Sequence, residues 1–325
     1  MTLPYLLRLL CLCFSFFFLL NAACGLLVRA LRRFLLRVAD AQRAASAANF
    51  LLALRLLPFA LATLFVGVLC VPSYVRLEPA ATVEHVGFAC LLFGGLGLLT
   101  GCLALLRAGR ALLASARRHQ RLSRGAEKIL MREHRCAALV LDTAEPVLAL
   151  SGIVRPRLLV SRSLLQTLSP EEFDAAVIHE TAHRASRDNL KRLLVLCAPE
   201  IFPFFDPLSS MEQARSRFAE WAADDRAAAG SSQRAISLAA ALLRVARLGA
   251  PPALPYLSTS LLASDRDLQA RVDRLLQAPP TRTSPPAGRL RLRAVSVLAA
   301  IVVVAALLAT PALSFVHELQ ELLLR

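Results

Sequence analysis

Residues 169–190 read SPEEFDAAVIHETAHRASRDNL. Ser169 can cap a helix, Pro170 suits its first turn, and Glu172 stands where a capping box closes. Further into that helix comes His179-Glu180-Thr181-Ala182-His183. Side chains four apart share a helix face, so both imidazoles can point at one ion while Glu180 stands beside the water it holds. This is the HExxH arrangement of zinc peptidases. The chain has six His and thirteen Glu, which gives about 0.004 chance occurrences of the motif per chain of this composition. Coincidence is a poor explanation.

Two imidazoles leave a catalytic zinc short of a protein ligand. Glu220-Trp221-Ala222-Ala223-Asp224 supplies a candidate further along the chain. Glu220 and Asp224 lie one helical turn apart, so Glu220 can bind the metal while Asp224 orients a ligating histidine. Asp188, soon after His183, is a candidate to orient a ligand or to steady the helix end. Trp221, the only tryptophan, is read as packing for the ligand helix. His85, His119 and His134 are read as a boundary residue and two solvated residues.

The HExxH stretch, followed by Arg187-Asp188-Asn189-Leu190 and Glu220-Trp221-Ala222-Ala223-Asp224, resembles the integral-membrane zinc metallopeptidases of the BlaR/MecR type, antirepressors in beta-lactam sensing. Ser151 to Leu158 and Leu168 to Glu172 are similar to that family's lead-in. The resemblance implies a gluzincin with one Zn2+ per chain on His179, His183 and Glu220, and Glu180 as the catalytic general base. It also implies cleavage of a protein or peptide substrate, a transcriptional repressor foremost. HtpX-type quality-control proteases share the HExxH and Glu-x-x-Ala-Asp patterns and are the nearest alternative. The sensors of the family carry a penicillin-binding domain after their fourth span, whereas here His317 to Arg325 is expected to be a short external polar tail.

Working outward, 56% of the 325 residues are hydrophobic and Lys+Arg exceed Asp+Glu by 38 to 23. With a mean hydropathy of +0.55, this excludes a disordered chain and points to a membrane protein with basic aqueous parts. Four uncharged runs can cross a core of about 30 Å: 9–28, 56–75, 86–106 and 294–316. The first is read as an uncleaved span, because five arginines follow it within fifteen residues and only Arg8 precedes it. Residues 29–55 hold six basic residues and one acid, 76–84 one and two, and 107–293 hold 29 and 18. The expected topology puts both termini outside and the 107–278 peptidase domain in the cytoplasm, at the cell (inner) membrane. Leu193 to Phe205 is too short and too broken by Pro199 and Pro203 to span, and reads as a core, interfacial or re-entrant segment.

The fold class expected is therefore an α-helical membrane protein with four transmembrane helices and a mainly α (α+β) zincin-like domain carrying a small sheet. Two or three short strands are expected over 137–141, 146–150 and 157–160, and an edge near Pro146 to Val160 could take an extended substrate. The basic stretch 107–135 is read as a helical extension of the third span near anionic headgroups. Residues 279–293 are read as a Pro-rich linker. The eight cysteines show no CxxC pair and are read as small core residues. Membrane lipids, a sensor partner and a second copy of the chain complete the partners considered. Direct nucleic-acid binding is not expected, since the basic stretch lacks aromatic interleaving. A structural zinc scaffold has no use for Glu180, and a transporter would need charged residues inside its spans.

Overall fold

The computed structural model describes residues 4–78, 86–123, 126–131, 136–143, 145–153, 156–200, 207–248, 258–260, 268–277 and 309–324. Three helices in it are long and apolar enough to cross a membrane. The first is α1 (Tyr5–Ala30). The second runs unbroken from Ala44 to Leu77, as α3 (Ala44–Phe65), a π-helical turn (Val66–Cys70) and α4 (Val71–Leu77). Pro72 explains the turn: it has no N–H to donate, and its ring crowds the carbonyl four residues back, so the coil widens just before it. The third is α5 (Phe88–Ser123). A short amphipathic helix, α2 (Arg32–Asp40), links α1 to α3.

The spans pack through small residues. On α5, a Cβ placed at Gly94 would lie 3.0 Å from the Cys11 carbonyl oxygen, and one at Gly97 only 2.3 Å from that of Phe14. The α1 and α5 backbones therefore touch, as helices do in lipid, where close packing replaces the hydrophobic effect. Ser15 Oγ lies 2.8 Å from the Cys90 carbonyl oxygen at the same seam.

Helix α1 includes the expected run 9–28 and the second helix includes 56–75, while α5 begins at Phe88, two residues into 86–106, and continues past its end. They extend well past those runs because arginine and alanine are good helix formers that continue the coil into the aqueous domain. Most of the expected fourth span, 294–316, and the whole 279–293 linker lie outside the described residues. The reading of 317–325 as a polar tail is corrected: residues 309–324 form α12 (Ala309–Leu324). Leu313, Val316, Gln320 and Leu324 recur at helical spacing and are buried. Gln320 donates to the Cys70 carbonyl at 2.9 Å, and Gly87 donates to that of Leu324 at 2.7 Å.

The aqueous domain begins inside α5. Its sheet has the order β1 (Glu127–Met131), β2 (Cys136–Leu141), β4 (Arg157–Ser161), β3 (Leu148–Ser151), β5 (Ser258–Ser260). β2 and β4 are parallel, and the other pairs antiparallel. Three strands, β2, β3 and β4, fall where the short apolar runs place them. β1 corrects the reading of 107–135 as one helix: the helix stops at Ser123, and Lys128 and Leu130 pair with Leu139 and Ala137 of β2. Ser258–Ser260, with no apolar pattern, gave no strand signal.

Alternate strand residues face opposite layers. Ala138, Leu148, Leu158 and Val160 pack under α6 (Arg162–Thr167), α7 (Pro170–Ser186) and α10 (Ser232–Arg247), meeting Leu164, Ala176, Leu238 and Leu242. Each leucine so buried contributes about 1.5–3 kcal/mol. Leu139, Leu141, Ala149 and Leu159 face the end of α5 at Leu122. Helix α8 (Asp188–Cys197) follows α7 directly. Helix α9 (Pro207–Ala228) lies against α3, where Met211, Ala214 and Phe218 meet Ala44, Ala47, Ala48 and Leu51. Helix α11 (Leu268–Leu276) packs beside α10.

The α1/α5 seam gives a direct test. Gly97→Val should cost about 1–3 kcal/mol by overpacking, lowering the thermal midpoint of the purified protein, whereas Gly101→Ala, with open space at its Cβ, should not.

Candidate metal centre

Helix α7 starts as its sequence dictates. Glu172 donates from its backbone to Ser169 Oγ at 3.3 Å, and Glu172 Oε2 accepts from the Ser169 backbone at 2.9 Å. Glu172 also meets Arg244 of α10 at 3.0 Å, fixing the helix on the domain. The helix ends at Arg187, whose φ of 54° is left-handed. That turn lets α8 begin at once and brings Asp188 back beside His183.

His179, His183, Glu180 and Glu220 are all buried, with both imidazoles at or below 1% exposure. The two Nε2 atoms lie 3.2 Å apart. Glu220 of α9 closes the triangle, with its oxygens 3.5 Å from His179 Nε2 and 3.7 Å from His183 Nε2. One donor atom from each residue lies within 4.8 Å of the others, so the three could hold a metal ion. Behind each imidazole stands a carboxylate: Asp224 Oδ1 is 3.0 Å from His179 Nδ1, and Asp188 Oδ2 is 2.7 Å from His183 Nδ1. Such backing fixes a ring's orientation and leaves Nε2 free to ligate. The five residues singled out in sequence, with Glu180, thus gather in one place.

Arg271 of α11 is the residue sequence reasoning missed. Its Nε and Nη2 donate to the two oxygens of Asp224 at 2.9 and 2.7 Å, and its Nη1 lies 3.3 Å from Glu220 Oε2. No motif marks one arginine far downstream among 38 basic residues. Lys191 plays the same part on the other side, 3.3 Å from Asp188 Oδ1. Asn189, next to Asp188, donates to the carbonyls of Leu150 and Gly152 at 3.3 and 2.8 Å, clamping the end of β3 to α8. Arg226 of α9 donates to the Ala182 carbonyl at 3.0 Å, holding α7 and α9 together. Trp221 meets Phe218 edge-on at 5.5 Å, on the side of α9 that packs against α3.

The donor set suits a divalent metal on physical grounds. Four buried carboxylates (Glu180, Glu220, Asp188, Asp224) face two fixed cations, Arg271 and Lys191. The carboxylates outnumber these two cations, and neither Glu220 oxygen accepts a hydrogen bond. A buried carboxylate so placed needs a cation. Without metal, protons do the work. Burial acts to lower the His183 pKa, but the nearby Glu220 charge and the hydrogen bond with Asp188 outweigh it and push it up to about 10. His179 moves upward too, against burial, through Asp224 and Glu220. Burial opposes ionisation of Glu220, yet the His183 charge beside it holds its carboxyl well below the usual range. Burial pushes Glu180 the other way, upward, against the charges of His179 and His183. Two imidazoles and a carboxylate oxygen are a zinc-type donor set.

The edge offered in sequence for an extended substrate is corrected. β4 is paired on both sides, and the free side of β3 carries β5, with Ala149 opposite Ser260 and Ser151 opposite Ser258. A strand-like substrate reaching β3 would have to displace β5.

His179, His183 and Glu220 thus form a buried triad that could hold a metal ion, in a chain with three helices long and apolar enough to cross a membrane. The BlaR1 peptidase M56 family model matches residues 88–275, over half of the chain, and the chain belongs to that family of metallopeptidases. Among curated proteins none matches it.

A linkage prediction follows from the raised histidines. The His183 imidazolium stabilises the metal-free fold fully below its unfolded pKa of about 6.5, and that contribution is lost as pH rises towards about 10. Metal binding must expel the proton. Apparent zinc affinity should therefore rise across that window by about tenfold per unit for each proton released. The gap between the thermal midpoints of zinc-loaded and chelator-treated protein should widen from pH 6.5 to 9; a gap independent of pH would refute this.

Proposed function

We propose that the protein is a membrane-embedded zinc endopeptidase whose catalytic domain faces the cytoplasm, cleaving a cytoplasmic or membrane-adjacent protein in signal transduction, with a transcriptional repressor as the leading substrate. The observation that carries the chemistry is the convergence of both Nε2 atoms on the Glu220 carboxylate, with a carboxylate behind each ring. In this reading His179, His183 and Glu220 hold one zinc ion per chain, and Asp224 and Asp188 orient the two imidazoles. A zinc ion held there supplies Lewis-acid polarisation of the scissile carbonyl and acidifies water.

The rest is done by the chain. Glu180 takes a proton from the attacking water and returns it to the leaving amine, a transfer that typically contributes 10²- to 10⁴-fold. Its burial supports that role, since a carboxyl raised above the usual range holds the proton more readily between the two steps. Arg271 keeps Asp224 and Glu220 ionised and in place, while Ala182 and Ala176 beside the histidines leave the helix face close to its neighbours. The arginine excess of 29–55 and 107–293 supports the cytoplasmic orientation. The family's known association with antirepression is what points to a repressor.

Two measurements test the reading. Glu180→Gln should retain about one zinc per chain and lose at least 10²-fold in peptide hydrolysis, whereas Glu220→Ala should lose the metal. Residual hydrolysis near the wild-type rate in Glu180→Gln would remove the general base. For orientation, a membrane-impermeant thiol reagent should label a cysteine placed at Glu78 and spare one placed at Gln213 in intact cells; the reverse pattern would put the site outside.

A further inference from the structure

Helix α8 meets the candidate metal site with its first residue, Asp188, and reaches α3 through Lys191 one turn on. At its start Asp188 holds His183 Nδ1 at 2.7 Å through Oδ2. The other oxygen, Oδ1, is 3.3 Å from Lys191 Nζ, one turn on. The same ammonium donates at 2.9 Å to Asn49 Oδ1, which belongs to α3 and so to the second membrane-spanning helix. Beyond the far end of α8, Asn21 of α1 donates to the Pro199 carbonyl at 3.5 Å. Glu200 pairs with Arg55 of α3 at 3.7 Å and with Arg107 of α5 at 3.4 Å. All three spanning helices thus grip the α8 segment, and one chain of polar contacts, Asn49 to Lys191 to Asp188 to His183, runs from a span to a candidate ligand.

The chemistry of the lysine suits the post. An ammonium has three donors on a flexible stem and can hold two acceptors of different elements at once. With Oδ1 engaged, the Asp188 carboxylate cannot rotate away, and Oδ2 stays on His183. Asp188 is 6% exposed, so an unanchored carboxylate there would gain little from water.

We propose that Lys191 is a positioning residue that ties Asp188, and through it His183, to Asn49 of the α3 span, so that the seating of α8 among the spans sets how tightly the metal site closes. The inference rests on the zinc-peptidase reading above and names the route by which the membrane part regulates it.

The test uses the full-length protein in detergent or nanodiscs, with zinc affinity read by chelator competition and ligand geometry read from the visible spectrum of the cobalt-substituted protein. Asp188→Asn, the control, should weaken zinc about 10- to 100-fold. Lys191→Met should weaken it roughly threefold to fivefold, the range of a partly exposed ion pair, and alter the cobalt bands. Asn49→Ala should act in the same direction in the wild type and have no further effect in Lys191→Met, because a relay broken once cannot be broken again. Wild-type affinity and spectrum in both Lys191→Met and Asn49→Ala, with Asp188→Asn impaired, would overturn the relay and leave the metal site standing. Wild-type behaviour in Asp188→Asn as well would overturn the pairing of Asp188 with a zinc ligand, and the relay with it. Additive losses in the double variant would show that Asn49 and Lys191 act separately, which also refutes the proposal.

Discussion

The protein's aqueous half is organised around a buried electrostatic constraint. Four carboxylates and two imidazoles sit together with almost no solvent, and ionised carboxylates cannot be left so in a low-dielectric interior. Arg271 and Lys191 answer half of that demand, each gripping the carboxylate that stands behind one histidine. The negative charge left over is of the sign that a bound cation answers. The supporting groups come from three helices: Asp188 and Lys191 from α8, Glu220 and Asp224 from α9, Arg271 from α11. The packing of those helices is therefore subordinate to the charges they bring together. A buried cluster of this kind contributes little net stability, yet removing one partner typically costs several kcal/mol. It selects one arrangement of helices more than it strengthens any.

The membrane frame is the second support. Helix α9 lays Met211, Ala214 and Phe218 on a stripe of alanines, Ala44, Ala47 and Ala48, at the start of α3. Small residues there let a large aromatic approach closely, and the alternative of larger side chains would hold α9 off and carry Glu220 with it. Trp221 sits one residue beyond Glu220, its ring 5.3 Å from the guanidinium carbons of both Arg217 and Arg274. The residues that seat α9 on the span and those that form the site thus alternate along one helix.

Sequence alone made this helix pair legible because its information is local. HExxH and Glu-x-x-x-Asp encode their geometry in the 3.6-residue turn, and the capping box of Ser169 and Glu172 is complete within four residues. The spans were legible for the same reason, being long uncharged runs. What could not be read was long-range. Arg271 and Lys191 are ordinary basic residues until the fold sets them beside Asp224 and Asp188. β1 was hidden because Glu127–Met131 follows a basic helix without alternation strong enough to end it, and β5 because Ser258-Thr259-Ser260 carries no apolar signal. Gln320 looked like part of a polar tail, since nothing in 317–325 announces that Cys70 offers a carbonyl to it. A buried polar side chain is legible only with its partner.

Coupling between the spans and the metal site, if carried by α8, must run in both directions. Whatever factor the seating of α8 adds to zinc affinity, zinc adds to the seating of α8, because the two differ only in the order in which the same thermodynamic cycle is traversed. A filled site then holds Asp188, Lys191 and Asn49 in register, and with them the contact of α8 with α3. An empty one loosens the same contact from the other end. The ion would in that case be a structural brace between peptidase and membrane as well as the centre of the chemistry. If that coupling holds, the domain is also unsuited to work apart from its spans, because α3 covers Met211 and Phe218 of α9 and holds Lys191 of α8 through Asn49.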